Sequence, residues 1–308
     1  MRDGASSANQ RRMRRADRIA LTAAALVLLL SATACSYGAY FLRFDEESPE
    51  SRAKSALTLN DDDLPPLTAH RYSFIIITDT HFGASKSRND DKFIAWLDAQ
   101  LDAADEGLRP RFVVNLGDTL DSGRDGQADD YIAFCEQLQE TAARHNLPRF
   151  PVYAVLGNHD TYNNGWEVWK RRVYPYTSYY TFTTADGFSY YFLDSGNGTL
   201  GEAQLNDVIA RMKDDPRPKL VFTHYPIYGN AIYYFTLQDT MERNLLIDAF
   251  ARNNVRYIFA GHDHKDHRNT FKDDFREHDI ASFLYSDVCS LVTIDETTGG
   301  VTSKNIDF

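Results

Sequence analysis

Five short apolar runs in this 308-residue chain end in side chains able to hold a metal ion or move a proton. SFIIITDTH ends in Asp79 and His81, VVNLGDTLD in Asp118 and Asp121, and VYAVLGNHD in Asn158, His159 and Asp160. LVFTH ends in His224, and YIFAGHDH in His262 and His264. Carboxylate oxygen and imidazole nitrogen together suit Mn, Fe or Zn. No thiolate joins the set, which argues against a soft-metal or closed structural zinc site. One such residue alone reads as a turn or helix cap, and His224 alone as a hydrogen-bonded core histidine. Five run ends carrying them together point to one site. Ser195, after YYFLD, has no base nearby in the pattern, so a nucleophilic triad is a weak reading.

Elements must bring these ends together. SFIIIT (73–78), RFVVNL (111–116), VYAVL (152–156), YYFLDS (190–195), LVFTH (220–224) and VRYIFAG (255–261) are short and rich in β-branched and aromatic residues, which predicts strands. Helical patterns cover residues 91–106, 128–145, 202–212 and 240–253. The segment from SFLYSDVC onward predicts two strands around a TTGG turn. Apolar strands covered by helices give an α/β layer fold with its ligand site at the carboxyl ends of the strands.

DTH, GDTLD, GNHD, TH and GHDH, in this order, resemble the calcineurin-like metallophosphoesterase superfamily. The resemblance implies a four-layer α-β-β-α sandwich of two mixed sheets flanked by helices. It implies two transition-metal ions, Mn, Fe or Zn: one held by Asp79, His81 and His264, the other by Asn158, His224 and His262, with Asp118 bridging. His159 would stand beside the metals as the catalytic acid, paired with Asp121. His224 follows Thr223 where the family usually has Gly, which changes no ligand. Asp121 stands where the purple acid phosphatases carry a tyrosine ligand, which argues against an iron-tyrosinate centre. Ser122-Gly123 stands where the protein serine/threonine phosphatases have Arg-Gly, which lowers the case for a phosphoprotein substrate.

Such a pair of ions activates a shared water for in-line attack on phosphorus, with His159 assisting the leaving group. The expected activity is hydrolysis of a small organic or nucleotide phosphoester, as phosphatase or phosphodiesterase. The alternatives are a tethered metal-binding protein without turnover and a phosphoprotein phosphatase. Two stretches, TYNNGWEVWKRRVYPYTSYY after GNHD and YPIYGNAIYYFTLQD after TH, read as loops over the site. Their rings could stack on a base or sugar, and Lys170, Arg171 or Arg172 could meet a phosphate. The competing reading is that the rings pack loop on loop and the basic run faces solvent. In GHDHKDH, Asp263 is expected to face away from the ions and His267 to lie on a loop surface or behind the ligands.

The first 35 residues differ from the rest. RRMRRADR is a basic n-region, followed by a charge-free run from residue 19 to Cys35. SATAC resembles a bacterial lipoprotein signal ending in a lipidated cysteine. Because the charge-free run continues to residue 42, an uncleaved membrane anchor is the other reading. Either puts the body in the cell envelope outside the cytoplasm, with a membrane as partner. Residues 36–68 read as an exposed spacer and 69–308 as the body. Without residues 1–35, which hold six Arg and two Asp, 27 basic and 42 acidic residues remain, net −15. That field does not attract nucleic acid. Cys135 and Cys289 read as buried thiols, with a disulfide between them left open.

Overall fold

Alternation along the strands decides which layer each side chain joins. In β2 (Arg71–Ile77), Phe74 and Ile76 enter one core while Ile75 and Ile77 enter another. β3 (Pro110–Asn115) divides Phe112 and Val114 from Val113 in the same way, and β4 (Val152–Ala154) divides Tyr153 from its neighbours. β6 (Ser189–Phe192), β7 (Lys219–Phe222) and β8 (Val255–Ala260) send Tyr190, Phe192, Leu220, Phe222, Tyr257 and Phe259 into the core that holds Phe74. Tyr191, Val221 and Ile258 go to a third core. Strands buried on both faces require cover on both sides, and the chain supplies it.

The computed structural model describes residues 48–184, 187–230, 235–272 and 274–308. Among them two mixed sheets lie face to face. The larger runs β1 (Leu57–Thr58), β5 (Tyr180–Thr183), β6, β7, β8, β10 (Phe275–Asp279), β9 (His267–Phe271). The smaller runs β12 (Gly300–Asp307), β11 (Val288–Asp295), β2, β3, β4. The inner core between them is largely aromatic, with Phe74 stacked on Phe112 at 4.6 Å and Phe182 on Tyr190 at 4.4 Å. α2 (Asp90–Leu101), α3 (Asp125–Arg144) and α4 (Gly165–Arg172) cover the smaller sheet through Phe93, Leu97, Phe134, Leu138 and Trp169. α5 (Glu202–Asp214) and α6 (Thr240–Arg252) cover the larger through Val208, Met212, Leu246 and Phe250. This is the expected four-layer sandwich.

Three expectations change. SFLYS is not a strand: Ser282 accepts from the N–H of Tyr285 and opens the short helix α7 (Phe283–Ser286). The stretch after GNHD is not all loop, since it contains α4. The stretch read as a spacer is, from Ser48 on, fastened to the body. Its helix α1 (Pro49–Arg52) and strand β1 are followed by Leu59 in the inner core and by Asp63, whose carbonyl accepts from the Tyr153 hydroxyl at 2.6 Å. Residues 1–35, with their signal or anchor, lie outside the described residues. No helix among the described residues is long and apolar enough to cross a membrane. Cys135 is half-buried, Cys289 is buried, and both are free thiols.

Candidate metal centre

Each motif begins where its strand stops. Asp79 and His81 follow β2, Asp118 follows β3, Asn158 and His159 follow β4, His224 follows β7, and His262 and His264 follow β8. β2, β3 and β4 are parallel neighbours in one sheet, and β7 and β8 in the other. The centre therefore forms where the carboxyl ends of two facing sheets meet. Strand geometry would alternate these side chains; left-handed backbone redirects them. Asp79, His81, Asp118, His262 and His264 all have φ between 44° and 73°. That region is unfavourable for residues with a Cβ, and such strain collects at functional sites. It lets His262 and His264 of GHDH turn toward different neighbours.

The loops pack backbone to backbone. A Cβ on Gly261 would lie 2.0 Å from Thr78 Oγ1 and 2.9 Å from Asp79 Oδ2. One on Gly157 would lie 2.1 Å from the Asp118 nitrogen. Only glycine permits either approach. Asp160, the last residue of GNHD, ties two loops together: its buried carboxylate accepts from Gly157 N at 2.9 Å, Leu120 N at 2.7 Å and Thr119 N at 3.2 Å.

Ligand atoms converge in three overlapping groups: Asp79, His81 and His264; His81, Asp121 and His159; and Asp118, His224 and His262. His264 Nε2 lies 3.2 Å from Asp79 Oδ1, and His81 Nε2 lies 3.8 Å from Asp118 Oδ2. His224 Nε2 is 3.3 Å from Asp118 Oδ1, 3.1 Å from Asn158 Oδ1 and 3.2 Å from His262 Nδ1. Hydrogen bonds behind these atoms set their orientation. His224 Nδ1–H donates to the Leu116 carbonyl at 2.9 Å, leaving Nε2 to face the cluster. The Asn158 amide donates to the Tyr162 hydroxyl at 3.1 Å, which turns its oxygen toward His224.

These residues fit metal ions. Both ring nitrogens of His81 and His262 Nε2 are buried without a hydrogen-bond partner. Buried polar atoms left this way are costly unless something binds them. Burial opposes charge on Asp79, yet the hydrogen bond from His264 and nearby imidazoles lower it to about 2. Burial likewise opposes a proton on His224, but Asp118, with Asp79 and the Leu116 carbonyl, more than offsets it and raises the imidazole to about 9. A field that holds a proton on a buried histidine favours a cation in its place. The O and N donors, without thiolate, are compatible with a dinuclear transition-metal centre.

His159 stands beside the cluster, its ring 4.6 Å from His81 and edge-on to it. Its Nδ1 donates to the main-chain carbonyl of Asp121 at 2.7 Å. The expected pairing through the Asp121 carboxylate is absent here; that group lies 3.5 Å from His81 Nδ1 instead. Asp263 accepts from Lys265 N and Asn230 Nδ2, both at 2.8 Å, and His267, the first residue of β9, has Nε2 3.1 Å from it. Lys170, Arg171 and Arg172 lie on α4, engaged by Glu167, Asp125 and Asp129.

At the rim, sequence reasoning missed Lys86 and Tyr285, whereas Tyr225 and Phe235 belong to the stretch after TH that it read as a loop over the site. The Tyr285 ring, 52% exposed, stacks on His264 at 5.1 Å, and Lys86 Nζ lies 4.9 Å above that ring. Beside His262, the Tyr225 ring lies tilted at 3.8 Å, and the exposed Phe235 stands at 5.9 Å. No motif marks Lys86 or Tyr285. Tyr162, four residues after Asn158, offered a weak signal through its spacing alone.

Solved structures share this fold, among them the following two. A dimetal phosphatase from Danio rerio is 14% identical, over 77% of this chain and 99% of the other, at a TM-score of 0.53. GAP50, described as the anchor in the inner membrane complex of Plasmodium, is 15% identical, over 77% and 84%, at a TM-score of 0.54. At such identities the likeness is one of fold alone. No curated protein matches. The profile of the Calcineurin-like phosphoesterase family matches residues 72–266, a span that holds every motif from Asp79 to His264, and the chain belongs to that family.

Proposed function

We propose that the protein hydrolyses small organic or nucleotide phosphoesters with a pair of transition-metal ions, outside the cytoplasm and held there by its N-terminal segment. One observation carries the reading: two ligand groups, with partnerless buried atoms, flank Asp118 beside an oriented histidine. Asp79, His81 and His264 would hold one ion, Asn158, His224 and His262 the other, with Asp118 between. When bound, such ions supply positive charge to phosphoryl oxygens and make water a usable nucleophile near neutral pH. The Asp121 carbonyl keeps a proton on His159 Nδ1, so the imidazolium, which carries a second proton on Nε2, would give that proton to the leaving oxygen and be left as the neutral Nδ1–H form. Tyr285 and Phe235 offer flat apolar surface on either side, and Lys86 offers a cation for a further anionic group. The extracytoplasmic location rests on the basic and then charge-free first 35 residues.

The test pairs nitrophenyl phosphate with its bis-ester after Mn addition, each with and without chelator. Turnover that chelator abolishes is expected, and the preferred ester separates phosphatase from phosphodiesterase. His159→Asn should keep its metals and lose about a hundred- to ten-thousand-fold in kcat. Folded, metal-loaded protein that turns over nothing across a broad phosphoester panel would instead establish a metal-binding protein without catalysis.

A further inference from the structure

The segment from Ser48 to Asp63 docks on the body, and its Arg52 is fastened to the turn after β6. The Arg52 and Asp194 side chains are both fully buried. Nε donates to Asp194 Oδ2 at 2.6 Å and Nη2 to Oδ1 at 2.9 Å, a two-pronged pair, and Nη2 also reaches Asn197 Oδ1. The turn that follows Asp194 is held from within as well, since Gly196 N donates to Asp194 Oδ1 at 3.1 Å. The next residue, Ser195, accepts from the His224 nitrogen at 3.1 Å and the Tyr225 nitrogen at 3.0 Å. On the other side, a Cβ on Gly196 would lie 3.0 Å from the Gly157 carbonyl, beside Asn158. The guanidinium also lies 6.0 Å from the Trp166 ring, in the helix after the GNHD turn. The turn of residues 194–197 thus binds the backbone of one assigned ligand, His224, and packs against Gly157, the residue before another, Asn158.

We propose that Arg52 is a positioning residue for that ion: the N-terminal strap, through Asp194 and Ser195, sets the backbone of His224 and with it the affinity of the second metal position. The inference rests on reading the centre as a two-metal site. Residues behind metal ligands govern affinity because they fix the ligand's aim before the ion arrives.

The experiment measures Mn affinity of the full chain by chelator competition, with the melting temperature of the chelated protein recorded in parallel. Arg52→Gln and Ser195→Ala are each expected to weaken one of the two equivalents of Mn about 10- to 100-fold and leave the other unchanged. Glu50→Gln, which removes a carboxylate from the start of α5 on the same strap, is expected to lower the melting temperature and leave affinity unchanged. If Arg52→Gln does not fold, Arg52→Lys decides: it keeps the charge, loses the paired geometry, and should show the same weakening. Parental affinity in Ser195→Ala and in the folded Arg52 variant overturns the proposal. A parent chain that binds no Mn overturns the two-metal reading itself, and the two failures differ in which protein shows them.

Discussion

His159 shows how a side chain's role depends on which atom of its neighbour it meets. Its Nδ1 donates to the Asp121 carbonyl, and a carbonyl only accepts, so the tautomer is set by main chain. Replacing the Asp121 side chain leaves that bond in place. The carboxylate instead lies near His81, a candidate ligand. Asp121→Asn should therefore act on metal affinity and spare kcat at saturating metal, whereas His159→Asn should do the reverse. Metal titrations of initial rate for both variants check this, and a kcat fall in saturated Asp121→Asn comparable to that of His159→Asn would return the carboxylate to the acid's side. The candidate ligands were legible in sequence because each stands in a short motif at a strand end. The atom that Asp121 uses was not, since spacing carries no information on whether a residue acts through its carboxylate or its backbone.

α4 is the element whose reading changed most. WEVWKRR sits among tyrosines and asparagines that signal loop, and Gly165 and Pro175 frame it too closely for eight helical residues to stand out. Once formed, the helix buries Val168 and Trp169 and turns its basic face to Asp125 and Asp129 at the start of α3. Arg171→Ala and Arg172→Ala should each cost at most about 1 kcal/mol, since exposed pairs contribute little. Both should leave KM for a simple phosphoester unchanged, measured beside Lys86→Ala, for which KM should rise. The long strands and helices were readable because period-2 and period-3.6 burial repeat over enough residues. β1, α1 and α7 were not: two to four residues carry no period, and their conformation comes from what they dock against. The strap's attachment was hidden for the same reason, because Arg52 meets Asp194 across 142 positions.

Over the whole molecule, the two sheets are joined along one edge by β10 and β12. His278 of β10 pairs through Nδ1 with Ser303 Oγ at 2.8 Å and through Nε2 with Asp266 at 2.7 Å, while Arg268 of β9 donates to the Ser303 carbonyl at 2.9 Å. Burial, then the charge of Arg268, lowers His278 to about 4, although Asp266 pulls the other way. Between that value and the ordinary imidazole range the unfolded chain binds a proton that the folded chain does not. The contribution is thus complete above about pH 6.5 and is lost as pH falls toward 4, by at most about 3 kcal/mol. Urea unfolding across that window should fall less steeply in His278→Asn than in the parent; equal slopes would show that the seam does not titrate. The left-handed backbone at Asp79, His81, Asp118, His262 and His264 has a further consequence on the scale of lineages. A descendant with no use for metal would be free to drift toward glycine at those five places, easing the backbone and growing more heat-resistant as its chemistry decayed. In such a lineage, gain of thermal stability would be the first mark of lost function.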